Sequence, residues 1–304
     1  MGFELPVPHA IIDLPMEDGA RLRLRRHGNL AGARIIISHG NGFAADAYFP
    51  FWEPLQRDFE LVVFDFRNHG QNPPSDPAHH NYAQMARDLD RVLDGVERAW
   101  GRRPSVGVFH SMSGRAAMKH AIEIGWRWDA LALFDPPNFP PVGHRLYDPM
   151  LKFERRLAEW ARGRRARYDD PAQLEQEFRA SRAAASWVEG AHALMARAVL
   201  RRDEAAGGWV LSCAPELEAR VYEEAVTLDL WPQGAEFAGP TKLFGADPAL
   251  RHGPPTGAAN QALAQENGID YVAVAGTGHL LQIEKPGECR AALLDFLAAH
   301  RIAA

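Results

Sequence analysis

Four short apolar runs, each rich in β-branched or aromatic residues and each separated from the next by a stretch of helical length, constrain this chain more than any other feature. They are RIIISHG (34–40), FELVVFDF (59–66), PSVGVFHS (104–111) and DALALFD (129–135). Nearly continuous apolar runs suit strands covered on both faces. Strands that alternate with helices pair in parallel, because each crossover must carry the chain back to the same end of the sheet. The segments between them agree. Tyr82, Met85, Leu89, Val92, Leu93 and Val96 fall on one helical face, and Met112 to Gly125 reads as a second crossover helix.

Two strands precede these runs: AIIDLP and ARLRLRRHG flank an Asp18-Gly19 turn, which predicts a hairpin and an antiparallel start. From Gly143 to Gly234 the texture changes to Arg, Ala, Glu and Trp with scarcely a β-branched cluster, as expected of a helical insertion. The wound pattern resumes with PTKLFGA (240–246), a helix over Thr256 to Asn267, the strand IDYVAVAG (269–276), and a last helix opening at Pro286, where a missing N–H costs nothing. The expected fold class is therefore α/β: a mostly parallel eight-stranded sheet flanked by helices. Residues 1–142 and 235–304 would build this core, and residues 143–234 would form a helical cap. A chain of 304 residues with 46% hydrophobic content can bury that much.

The net charge of -5 comes from mixed signs spread along the chain, giving no electrostatic attraction to nucleic acid or to a membrane surface. The opening MGFELPVPHA lacks a basic segment followed by an apolar one, and no stretch approaches the roughly 18 apolar residues that span a bilayer. Cys213 and Cys289 show neither metal spacing nor a disulfide framework, which suits a reducing compartment. A cytoplasmic monomer or homodimer acting on a small molecule is the expectation. His79 and His80 would point apart on an extended loop and lack zinc-type spacing, so neither a metal nor another cofactor is expected.

The chemistry concentrates at VGVFHSMSG. Ser111 follows an apolar strand and precedes a helical pattern, with small Ser113 and Gly114 after it. A sharp strand-to-helix turn lifts such a hydroxyl above the sheet, while the next N–H, on Met112, points toward a developing oxyanion. The run Phe109-His110-Ser111-Met112-Ser113-Gly114 resembles the nucleophile elbow of the α/β-hydrolase family, with Phe109 where glycine is usual. His39-Gly40-Asn41-Gly42-Phe43 looks like that family's oxyanion loop, and the resemblance implies the Asn41 N–H as second donor. FDFRNHGQN is similar to the family's D-x-R-G-H-G-x-S segment, which implies architectural roles for Asp65, Arg67 and His69.

A serine hydroxyl needs a base to take its proton. AGTGHLLQIEKP resembles the family's G-x-G-H-x-x-x-x-E-x-P signature, which implies that His279 is that base. The base in turn needs a carboxylate to fix its tautomer. Asp247 in KLFGADP follows the penultimate strand, where the family most often places its acid, though one residue closer to the glycine than usual. Asp135 in LALFDPP is the rival, since some members supply the acid from the strand after the nucleophile helix. Asp247 is the leading candidate.

The resemblance implies a hydrolase of carboxylic esters working through an acyl-enzyme. Cleavage of a thioester, lactone or carbon-carbon bond would use the same residues, and a ligand-binding protein that keeps the pocket without turnover is the reading from another class. Trp160, Trp187, Trp209 and Trp231 in the insertion, with Phe43 and Phe139 beside the core loops, suggest a small or medium apolar substrate held by Phe43 and Phe139; equally, these aromatics would serve as local core. Lys152 to Arg167 carries seven basic and two acidic residues, a solvated face or a dock for an anionic group.

Overall fold

The computed structural model describes residues 2–302. Its strands are β1 (Ala10–Pro15), β2 (Arg21–Gly28), β3 (Arg34–Ile37), β4 (Glu60–Phe64), β5 (Ser105–His110), β6 (Ala130–Phe134), β7 (Arg167–Tyr168), β8 (Leu200–Arg202), β9 (Trp209–Leu211), β10 (Thr241–Gly245) and β11 (Asp270–Ala273). Eight of them form one sheet in the order β1-β2-β4-β3-β5-β6-β10-β11. The hairpin β1–β2 and its junction with β4 are antiparallel, and every later pairing is parallel. The expected eight-stranded, mostly parallel sheet is what the chain forms.

Alternation within the strands explains why they read as unbroken apolar runs. Ile35 and Ile37, Leu61 and Val63, Val106 and Val108, Ala130 and Ala132 face one core layer. Ile36, Val62 and Phe64, Phe109, Leu131 and Leu133 face the other. With helices over both faces, neither set meets water. The helix Tyr82–Trp100 begins with Asn81 accepting the Gln84 N–H and buries the stripe of Met85, Leu89, Val92 and Val96. No helix among the described residues is long and apolar enough to cross a membrane.

Strand β5 carries the elbow, and its register resolves the large residue before Ser111. Phe109 points to the same face as Gly107, two positions back. A Cβ at Gly107 would lie 2.5 Å from the Phe109 ring and 2.6 Å from Leu131 Cδ2. The ring fills the space that Gly107 leaves and meets Trp128 edge-on, centroids 5.4 Å apart. The missing Cβ of Gly107 is thus what accommodates the large side chain at position 109.

The segment between β6 and β10 is more mixed than its composition suggests. It contains the helices Tyr147–Arg162, Pro171–Ala180, Ala191–Val199 and Pro215–Ala225, and also the three-stranded sheet β7-β9-β8. The purely helical reading of residues 143–234 needs that correction. Gly207 and Gly208, at φ 72° and 74°, turn the chain between β8 and β9, and a Cβ on Gly208 would press within 2.8 Å of the Tyr168 carbonyl. The insertion shares its apolar side chains with the core: Leu174, Trp187, Leu194 and Met195 join one layer, Val221, Ala225 and Leu230 the other.

Replacing Gly107 with Ala should cost about 1–3 kcal/mol in urea unfolding, the usual penalty for overpacking. Adding Phe109→Ala should bring a combined loss smaller than the sum of the two single losses by more than about 0.5 kcal/mol. Simple additivity would mean that the ring is not what the glycine accommodates.

Candidate active site

Ser111 sits at the junction of β5 and the helix Met112–Lys119, with φ 53° and ψ -116°. An L-residue held there stores strain, and the surroundings over-determine it. Its N–H donates to the Phe134 carbonyl at 2.9 Å. The Ser113 hydroxyl closes the turn, accepting the His110 N–H and donating to the His110 carbonyl, both at 2.9 Å. Neighbours must be small. A Cβ on Gly114 would be 3.2 Å from Pro136, and one on Gly40 would be 2.8 Å from His110 Nδ1 and 3.2 Å from Ser111 Cβ.

His279 Nε2 lies 2.9 Å from Ser111 Oγ, and its Nδ1 lies 2.6 Å from Asp135 Oδ2. The sequence reading led with Asp247, and the geometry puts the rival there instead. Asp135, fully buried at φ 40° just after β6, is met by four donors. Oδ1 accepts from the Ala246 N–H at 3.1 Å and Asn260 Nδ2 at 2.9 Å; Oδ2 accepts from the Thr256 hydroxyl at 2.6 Å and from His279. That is the full complement of an acceptor-only carboxylate. Asp247 lies in a surface turn, where it accepts the Gly276 N–H at 2.7 Å and the Ala249 N–H at 2.8 Å, bonds that hold its carboxyl below the ordinary range. The shortened Gly-Ala-Asp spacing leaves Asp247 bracing the histidine loop from outside.

The two N–H groups expected to face an oxyanion are the ones left over by local bonding. Gly40 N–H donates to the Tyr48 hydroxyl at 3.1 Å, Gly42 N–H to His69 Nε2 at 3.1 Å, and Phe43 N–H to the Gly40 carbonyl at 3.1 Å. Met112 is the first residue of its helix, so its N–H has no intrahelical acceptor. Among the described residues neither the Asn41 nor the Met112 N–H has an intramolecular partner.

A buried chain of hydrogen bonds ties three of these loops together. Burial holds the His110 imidazole well below its usual pKa, so the ring is neutral. Its Nε2–H then donates to the His279 carbonyl at 2.8 Å, and its Nδ1 accepts from the Tyr48 hydroxyl at 2.7 Å, which itself accepts the Gly40 N–H. Oxyanion loop, elbow and histidine loop are coupled through one tautomer.

Asp65, Arg67 and His69 work behind this surface. Asp65 accepts the Ala45 N–H at 2.8 Å, and Arg67 pairs with both oxygens of Asp88 at 2.6 and 2.7 Å. His69, His80 and Cys213 bring their ligand atoms within 4.8 Å of one another in the interior. A metal there would take His69 Nε2 from the Gly42 N–H and loosen the oxyanion loop. Cys213 and Cys289 are both buried free thiols.

The aromatics named from the sequence are mostly engaged in local packing. Phe43 is half-buried at the edge of a core layer, and Phe139 is buried against Tyr147, Met150 and Ala259. Trp187 packs on Phe178 and His192, Trp231 on His144, and Trp160 is exposed. Three of the seven basic residues of the run are paired with acids elsewhere in the insertion: Arg162 with Glu216 and Glu223, Arg164 with Glu218, and Arg167 with Asp203. Sequence reading passed over Thr256 and Asn260. Their signal is two polar residues four apart, on one face of an otherwise Ala-rich helix.

These features accord with known proteins. A family model described as "Alpha/beta hydrolase family" matches residues 35–292. Two curated relatives, both named "Putative carbamate hydrolase RutD", are 28% identical over 131 residues (Variovorax paradoxus strain S110) and 29% identical over 138 residues (Caulobacter sp. strain K31). The matches cover 41% and 43% of this chain, and the chain spans about half the length of these relatives, 46% and 47%. Among solved structures, E-2-(acetamidomethylene)succinate hydrolase superposes with TM-score 0.74 at 18% identity, over 95% of this chain and 98% of that one. A thermophilic esterase from Thermogutta terrifontis gives 0.67 at 19%, over 96% and 98%. At such identities these structures speak to the fold. The family match over most of the chain, with the sheet order and elbow already described, makes this protein a member of the α/β-hydrolase family.

Proposed function

We propose that the protein hydrolyses carboxylic esters through a serine nucleophile, with Ser111, His279 and Asp135 as the triad. The observation that carries this reading is the continuous contact from Ser111 Oγ through His279 to Asp135, at 2.9 and 2.6 Å. Asp135 accepts the Nδ1–H of His279, which leaves the lone pair of Nε2 facing the serine. As Ser111 attacks the substrate carbonyl, Nε2 takes its proton, and the imidazolium is stabilised by the buried carboxylate. The oxygen that becomes negative is received by the Asn41 and Met112 N–H groups, two donors that need no reorganisation. His279 returns the proton to the leaving alcohol, then draws one from water as the water oxygen attacks the acyl carbon, and passes it to Ser111 Oγ as the acid leaves. The cycle needs no cofactor.

The likeness to relatives named for carbamate hydrolysis favours a second reading on the same residues, in which the bond cleaved is that of a carbamate and Ser111 carries a carbamoyl group. Buried charged side chains near Ser111 argue against a wholly apolar substrate in either case.

A fluorophosphonate probe should label the protein at Ser111, and Ser111→Ala should abolish the label. A folded wild-type protein that stays unlabelled, where a reference serine hydrolase reacts fully, would falsify the nucleophile. For the acid, Asp135→Asn should lower kcat on an activated ester about 10,000-fold, the scale expected when the histidine tautomer is lost. Asp247→Asn should retain most of the activity. The reverse ranking, in proteins with intact thermal transitions, would restore Asp247 to the triad.

A further inference from the structure

Arg115, four residues after Ser111 on the elbow helix, and its partner Glu154 have no part in the cycle above. Arg115 sits one turn into the elbow helix, its N–H bonded to the Ser111 carbonyl at 3.1 Å. Its guanidinium donates to Glu154 Oε1 at 3.1 Å and reaches the Tyr82 hydroxyl at 3.4 Å. Glu154 comes from the inserted helix Tyr147–Arg162 and is 1% exposed, yet its second oxygen, Oε2, has no partner. A buried carboxylate oxygen without a donor is costly, and such groups are normally satisfied by a side chain, water or ligand.

The neighbouring pair shows what satisfaction looks like. Glu218, from the helix Pro215–Ala225, is bound by Arg164 and seated against Gly42, where a Cβ would lie 2.4 Å from its Oε1. Glu154 has no such seat. Burial pushes its carboxyl up to about 7, against the opposing pull of Arg115. A donor delivered to Oε2 would stabilise the ionised form. Asn41 repeats the pattern next to the oxyanion donors: its Nδ2 donates to the Glu218 carbonyl at 2.8 Å, while its buried Oδ1 has no partner.

We propose that Glu154 Oε2 is the specificity contact of this site, accepting a hydrogen bond from an N–H or O–H group that the substrate carries close to its scissile carbonyl. The preferred substrates are then donor-bearing esters rather than plain alkyl ones. The inference rests on the serine-hydrolase reading and adds the substrate class to it.

The test compares the 4-nitrophenyl esters of N-acetyl-β-alanine and of 5-oxohexanoate, which differ only by an N–H in place of a CH2. Wild-type protein should favour the N–H ester at least about tenfold in kcat/KM, since sites built around a buried polar partner reject the analogue that lacks it. In Glu154→Gln, where the amide can present a donor in place of Oε2, and in Glu154→Leu, the ratio should fall to near one. Because Glu154→Leu strands the Arg115 charge in the interior, the double variant Arg115→Met/Glu154→Leu serves if the single one fails to fold. A wild-type ratio near one, or a preference that survives in a folded variant, overturns the proposal while leaving the serine mechanism in place. If wild type hydrolyses neither ester and takes no fluorophosphonate label, both readings fall.

Discussion

The Asp135 carboxylate is the point on which the site depends. It is fully buried, and its four donors come from three parts of the chain: the residue after β10, two positions of the helix Thr256–Asn267, and the histidine loop. A buried carboxylate is tolerable only when its lone pairs are taken, so the packing of β6 against β10 and the position of that helix are conditions for keeping Asp135 inside. The same bonds fix where Oδ2 points, and through it the plane of the His279 ring. Asn260 is itself held, accepting from Asn138 Nδ2 at 3.0 Å.

The second constraint is the neutral His110. It belongs to the elbow by sequence, but its two ring nitrogens reach the other loops, Tyr48 and Gly40 on one side and the His279 carbonyl on the other. A protonated ring would have no lone pair for the Tyr48 hydroxyl, so the burial that keeps it neutral also sets the direction of the chain. Asp135 orients the His279 ring, while His110 holds its backbone. Control of both leaves the imidazole little freedom to drift from Ser111.

How far all this was legible follows from the range over which each feature is decided. The sheet was legible because two-sided burial writes itself into runs such as LVVF and ALALF. Ser111 and His279 were legible because an elbow and a glycine-flanked loop are local in sequence, and the structure brings these two residues together. The carboxylate that meets His279 was not, since Asp135 and Asp247 both end apolar strands followed closely by proline. What separates them is a pair of donors, Thr256 and Asn260, more than a hundred residues beyond Asp135. Phe109 departs from the family pattern for a reason two residues away, in the missing Cβ of Gly107. The strands of the insertion were hidden by composition, because two or three residues paired around Gly207-Gly208 are too short to shift an average.

The insertion brings charge, rather than an aromatic wall, up to the elbow. Arg115 and Glu154 are each 1% exposed, and the second pair, Arg164 with Glu218, is almost as deeply buried. Taking such ions out of water costs several kcal/mol each, and apolar residues of similar volume often serve stability as well or better. Arg164 and Glu218 repay that cost locally, since Glu218 packs on Gly42 and its carbonyl holds Asn41 beside the oxyanion donors. Arg115 and Glu154 repay it less completely, because one carboxylate oxygen is left without a donor. Apolar residues of similar volume often serve such a position at least as well, so the open oxygen is the feature of the pair that a bound donor would account for.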